Sequence, residues 1–192
     1  MARELIDRYS DYDVISRAPT VFNYSSDLNE VVNDASSGSA TFKIYDPSKY
    51  EVILADEAIG QTELSVTNAG AFDESDAVEV TQNDESILAS TVSSVDAVAG
   101  TITIADALTV AADLGQRVRV IFGTSISMSE FGTADLNKRD WGYHGVIEST
   151  HSVHSDTRAK EGLDVDIEVK VTNSVRNSTD IICATIKEDD CD

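Results

Sequence analysis

Three histidines and several groups of carboxylates are the residues whose types and spacing best suit chemistry. His151 and His154 lie three apart, with Glu148 and Asp156 close by and His144 upstream. Imidazoles and carboxylates bind zinc, but such sites usually space their ligands two apart on a strand or four apart on a helix. Three apart on a strand, the two rings point to opposite faces, although a turn would bring them back together. The plainer reading is a hairpin loop carrying surface imidazoles. A second cluster, "FDESDA" from Phe72 to Ala77, offers Asp73, Glu74 and Asp76 to calcium. It lacks the alternating acids, the glycine and the distal Glu of an EF-hand loop. A chain this acidic produces such clusters by chance, so solvated surface is the expectation. No metal and no other cofactor is expected.

Nucleophilic and phosphate chemistry find no framework. There is no G-x-S-x-G elbow and no Walker or Rossmann glycine pattern. An enzyme is therefore not expected. One other stretch has unusual composition, "GTADLNKRDWGYHG". Lys138 and Arg139 are adjacent bases in an otherwise acidic chain, followed by Trp141, the single tryptophan, and Tyr143. Arg and aromatic residues are enriched at interface hot spots. One reading is a docking loop that meets an acidic neighbour through Lys138, Arg139, Trp141 and Tyr143. The competing reading packs Trp141 and Tyr143 into a core while the bases balance nearby acids.

The elements that must position these groups are mostly strands. Period-2 alternation runs through "SATFKIYDP", "TELSVTN", "DAVEVTQ", "ILASTVSSVDA", "GTITIAD", "QRVRVIFG" and "TSISMSEF". It continues in "WGYHGVIESTHSVH", "LDVDIEVKVTNS" and "TDIICATIKE". Val165, Ile167, Val169 and Val171 share one face, and Asp164, Asp166, Glu168 and Lys170 the other, as an antiparallel sheet with one wet side requires. "YEVILA" directly after Asp46-Pro47 predicts a hairpin around Pro47-Ser48-Lys49. Helix signals are few. Residues 2–9 fit one amphipathic turn or two, and Asp27 with Glu30 three residues on caps a segment of at most two turns closed by Gly38.

Short strands at about ten-residue spacing give the fold class: mainly β, an antiparallel sandwich or barrel with minimal helix. Two layers of organisation are visible. Residues 57–122 read as a compact inserted β-barrel module. Residues 1–56 with 123–192 read as the two halves of a discontinuous β host domain. Insertions survive where the two ends of the inserted segment lie close together at a loop tip.

Charge excludes several partners. Asp and Glu number 35 against 14 Lys and Arg, for a formal net charge of −21. Phosphate backbones are bound through Lys and Arg, so neither specific nucleic-acid binding nor an anionic membrane surface is expected. No apolar run is long enough to span a bilayer. The acids are scattered and 41% of residues are hydrophobic, which argues against disorder. At about 1 M salt the Debye length falls to roughly 3 Å and dense surface carboxylates stop repelling one another. Composition thus points to a folded protein adapted to high salt. Cys183, within "IICATI", reads as a small buried residue, and Cys191 lies in the acidic tail. A disulfide between them would close a short loop and add little. "MARELIDRYSDYDVISR" is charged from its start, so no signal peptide and cytoplasmic synthesis are expected.

The central module carries a resemblance. "GQTELSVTNAGAFDESDAVEV" followed by "STVSSVDAVAGTITIADALTVAADLGQRVRV" resembles a small β-barrel module common in structural proteins of tailed phages and archaeal tailed viruses. The matching positions are Gly60, Thr62, Leu64 and Val66, then Asp76, Val78 and Val80, then Thr91, Val92, Val95 and Asp96, then Gly100 to Ile104, and Gly115 with Val118. One position departs: the residue before Asp76 is usually Gly in that layout and is Ser75 here. "SATFKIYDPSKYEVI" is similar to a strand–turn–strand of some head–tail connector and tail proteins. The resemblance implies a virion structural protein of a halophilic tailed virus. It would assemble as a homo-oligomeric ring in the head–tail connector or tail region, with portal, connector or tail subunits as partners. A capsid decoration or turret protein is the alternative within that class, and an extracellular adhesion β-module the alternative outside it.

Overall fold

The structure is a computed structural model and describes residues 4–7, 12–16, 22–24, 30–32, 39–131, 142–148, 151, 153, 162–172 and 177–187. It is mainly β. The strands are β1 (Glu4–Asp7), β2 (Tyr12–Ser16), β3 (Phe22–Tyr24), β4 (Glu30–Val32), β5 (Ser39–Val52), β6 (Glu63–Ser65) and β7 (Ala77–Thr81). They continue as β8 (Ile87–Asp96), β9 (Thr101–Ile104), β10 (Arg117–Phe131), β11 (Gly142–Ile147), β12 (Asp164–Thr172) and β13 (Asn177–Lys187). The chain divides into two compact units, residues 45–123 and residues 1–44 with 124–192.

The central unit is a meander. β7 pairs with the first half of β8, and β9 with its second half. The register shifts between Val92 and Ser94, and such a bulge bends a strand. β6 adds to β9, and β7 pairs with the start of β10. Residues 52–54 lie against both β6 and the segment before β10. Leu54 N–H donates to Ser65 O at 2.8 Å, and Ile53 N–H donates to Gln116 O at 2.8 Å. Alternation along the strands turns Leu64, Val78, Val80, Ile102, Ile104 and Val118 into one core, closed by Phe72 from a 3-10 turn at Ala69–Ala71 and by Leu108 from a loop.

In the other unit, β13 pairs antiparallel with β12 along nine positions and parallel with β1. Val165, Ile167, Val169 and Val171 are buried, as their alternation predicts. β11 pairs with β2 and with the end of β10. Gly145 on β11 is dictated by packing: a Cβ there would meet Phe42 Cε1 at 2.7 Å and Met128 Cγ at 3.1 Å.

Several expectations need correction. No hairpin forms at Pro47-Ser48-Lys49; β5 runs through all three residues. Pro47 stays in the strand because Asp46 Oδ1 takes the Ser48 N–H and hydroxyl, at 2.9 and 2.6 Å, satisfying the backbone locally. "TSISMSEF" is the continuation of β10, with no break at Gly123. Glu30–Val32, expected in a helix, pairs with Phe22–Tyr24 as β4, where β-branched Val31 and Val32 suit a pleated ribbon. The amphipathic turn expected over residues 2–9 is strand β1 at 4–7. The central unit at 45–123 includes Tyr45, Lys49 and Ile53, which give their side chains to it.

Candidate functional site

The acids of the central unit do not all face water. Asp76 is fully buried immediately before β7, although it belongs to the cluster whose expected fate was solvated surface. Its Oδ2 accepts the Asp73 N–H at 2.8 Å, and its backbone N–H donates to Asp73 O at 3.1 Å. The turn between them places Ser75 at φ 75°, in the left-handed region that favours glycine. Ser75 N–H donates to Val92 O and Val92 N–H donates to Asp76 O, both at 2.8 Å, which fastens this turn to the bend of β8.

A cation completes the group, and the chain itself supplies it. Lys49 Nζ lies 2.6 Å from Asp73 Oδ2 and 2.9 Å from Asp76 Oδ2. Its side chain is 14% exposed. Burial alone would favour the neutral amine. The hydrogen bonds and charges of Asp73 and Asp76 outweigh it and raise the Lys49 pKa above its ordinary 10.5. The ammonium therefore lies between two of the three carboxylates of the cluster from Phe72 to Ala77. Among the described residues no group of three or more His, Cys, Asp and Glu is arranged to hold a metal ion.

A second polar group lies on the neighbouring ladder. Arg119 on β10 is opposite Glu79 on β7. Tyr45 OH donates to Glu79 Oε2 at 2.6 Å, and Arg119 Nη2 donates to Tyr45 OH at 3.0 Å. The guanidinium stacks 3.9 Å from the Tyr45 ring centroid, a cation–π contact, and lies 3.9 Å from Glu79 Oε2. Gln82 is the third fastening. Its buried side-chain oxygen accepts from Thr109 N–H, Thr109 Oγ1 and Val110 N–H, while its amide nitrogen donates to Ser86 Oγ. Glu57, also buried, accepts the Ser65 N–H at 2.9 Å. Exposed Asp84 accepts from the Ser86 hydroxyl and backbone, which lowers its pKa. Asp76, Gln82, Glu57 and Asp84 accept backbone N–H groups, while Tyr45, Glu79 and Arg119 join side chain to side chain.

Of the four residues in the expected docking loop, Lys138, Arg139 and Trp141 lie outside the described residues. Tyr143 is on β11, buried at 2% exposure and facing the same side as Gly145 and Ile147. His144 lies on β11 opposite Ser129 and Ile15. His151 N–H donates to Glu148 O, and its Nδ1 accepts the Val153 N–H. His154 and Asp156 lie outside the described residues. Cys183 is half-buried on β13, opposite Asp166, and Cys191 is outside the described residues.

Motif reading missed Tyr45, Lys49, Glu79, Gln82 and Arg119 as a set. The available signal was scarcity. Residues 45–123 hold eight Asp and six Glu but only three cations, Lys49, Arg117 and Arg119. Two of those three are placed against buried acids. Compared with known protein families, with characterised proteins and with solved structures, the chain matches none.

Proposed function

We propose that the chain is a structural protein of a halophilic tailed virus that assembles as a ring in the head–tail connector or tail region. The central unit is read here as the small β-barrel module of such proteins, and the remainder as its β host. The observation that carries the reading is Ser75. It stands where the resembling layout has Gly, and its φ of 75° is the conformation that makes Gly the usual residue there. A left-handed backbone at this position is one that a glycine would adopt freely, which supports the reading. The use of polar side chains supports assembly over catalysis, since Lys49, Glu79, Gln82 and Arg119 fasten strands. Surface acids would keep such a ring soluble in strong salt and keep DNA from adhering to it.

The test is assembly of the full chain in about 2 M NaCl, where surface charges are screened. Sedimentation and cryo-EM are expected to show closed rings of one copy number. A particle that stays monomeric across the salt range overturns the proposal.

A further inference from the structure

Residues 113–117 of the central unit carry an acid, an aliphatic side chain and a base on one fastened turn. Asp113 N–H donates to Asn83 Oδ1 at 2.8 Å, and Leu114 N–H to Asp56 Oδ1 at 3.1 Å. Gly115 N–H donates to Ile53 O at 2.9 Å, and Gln116 N–H to Asp113 O at 3.1 Å. Gly115 supplies a positive φ, 92°, at the third position of that turn, where glycine is favoured. Successive amides from Asp113 to Gln116 are thus bonded, and the turn is held in one shape. Leu114 is 65% exposed, and Asp113 and Arg117 are exposed on either side of it in the chain.

The three cations of this unit differ in their surroundings. Lys49 and Arg119 are placed against its own acids. Among the described residues, the Arg117 guanidinium has no ion pair or hydrogen bond, and neither has the Asp113 carboxylate. The turn keeps an unmatched acid and an unmatched base apart, with a leucine between them. A uniformly acidic partner would set its charges against Asp56 and Asp113, and a uniformly basic one against Arg117; like charges side by side oppose binding. A surface with the same acid–apolar–base order, turned end for end, matches both. A second copy of the chain is such a surface, because a two-fold axis sets residue i on j and j on i. We infer that two copies pair about a two-fold axis at Leu114. The leucines meet each other, and each Arg117 guanidinium meets the Asp113 carboxylate of the other copy. The turn is already ordered, so little conformational freedom is lost on pairing. The contact is small, which makes it a weak association. Two copies of formal charge −21 repel at long range. Salt of about 1 M confines that repulsion to roughly 3 Å and leaves charge pairs in direct contact. Pairing belongs to strong salt, and it neither requires the ring proposed above nor follows from it.

The experiment uses the full chain with Leu114→Cys, oxidised in about 2 M NaCl as a mixture of ¹⁵N-labelled and unlabelled copies. Peptide mass spectrometry is expected to find a heavy–light disulfide joining position 114 to position 114, since only a two-fold contact brings a residue against itself. Arg117→Glu on that background is expected to lower the yield at least about tenfold, because a two-fold contact carries the charge pair twice. Asp113→Arg together with Arg117→Asp is expected to restore it. The yield is also expected to rise between about 0.1 and 1 M NaCl. No disulfide between copies at position 114, or one joined only to Cys183 or Cys191, overturns the pairing. A yield untouched by Arg117→Glu overturns it as well. Rings without the 114–114 bond overturn this contact and leave the ring standing, and the bond in particles that never form rings does the reverse.

Discussion

The β12–β13 ladder and the central unit use the same acidic composition in opposite ways. Along β12 the apolar residues turn inward, while Asp164, Asp166, Glu168 and Lys170 remain partly exposed beside them. Each ladder position repeats the one two residues before it. In residues 45–123 the acids that matter most are inside: Asp76, Glu57 and Glu79 are at most 6% exposed. There a carboxylate accepts a backbone N–H, as Asp76 and Glu57 do, or stands beside a cation, as Asp76 does at Lys49 and Glu79 at Arg119. The difference shows that an acid count says nothing about where a given acid does its work. A buried carboxylate with its bonds satisfied specifies a turn, whereas an exposed one contributes solubility.

The comparison breaks most sharply at Asp76. Asp76→Ala is expected to cost about 3–5 kcal/mol in chemical denaturation, because it strips Lys49 of its buried partner and orphans the Asp73 amide. Equal stabilities for this variant and the wild type would put Asp76 in the same class as the β12 acids. Alkaline titration addresses the same pair from the cation's side. The folded pKa of Lys49 is raised, so its contribution is fully present below its unfolded value, near 10.5, and is lost as pH rises through the higher folded value. Unfolding midpoints measured from pH 9 upward are expected to fall in that window in the wild type, with that step missing in Lys49→Met.

Smaller effects sharpen the contrast. Gln82→Ala is expected to cost about 2 kcal/mol, since it leaves the Thr109 and Val110 amides without their acceptor. Thermal unfolding read together with amide exchange at those two residues checks it. Ser75→Gly is expected to act the other way, raising stability by about 1 kcal/mol by relieving a left-handed backbone. A denaturation midpoint that does not rise would show the turn to be unstrained. Asp166→Ala on β12 is expected to change stability by less than about 0.5 kcal/mol in the same assay.

What was legible in the sequence follows the same divide. Alternation alone places β7, β9, β12 and β13 and names the buried face of β12, because a period of two is a direct imprint of the pleat. Ser75 was visible as an irregular position through the resemblance of its surroundings. Pro47 misled, since a proline after Asp reads as a turn unless a local side-chain bond lets the strand continue. Val31 and Val32 misled because a capping pattern can be met by residues whose β-branching suits a strand. The fastenings at Lys49, Glu79, Gln82 and Arg119 were illegible for another reason. Their partners are far away along the chain, and no local pattern encodes a contact between distant positions.

That remoteness governs time as well as place. The hydrogen bond between Tyr45 and Arg119 spans 74 positions, whereas β7, β8 and β9 follow one another through short turns. Loop-closure entropy makes long-range joining slow compared with neighbouring hairpins. The meander is therefore expected to form early and the joining of Tyr45 to Arg119 late, an order that pulse-labelled amide exchange during refolding checks. A ribosome must release Arg119 before the central unit can complete itself, so a growing chain carries its strands for a while as an unfinished sheet.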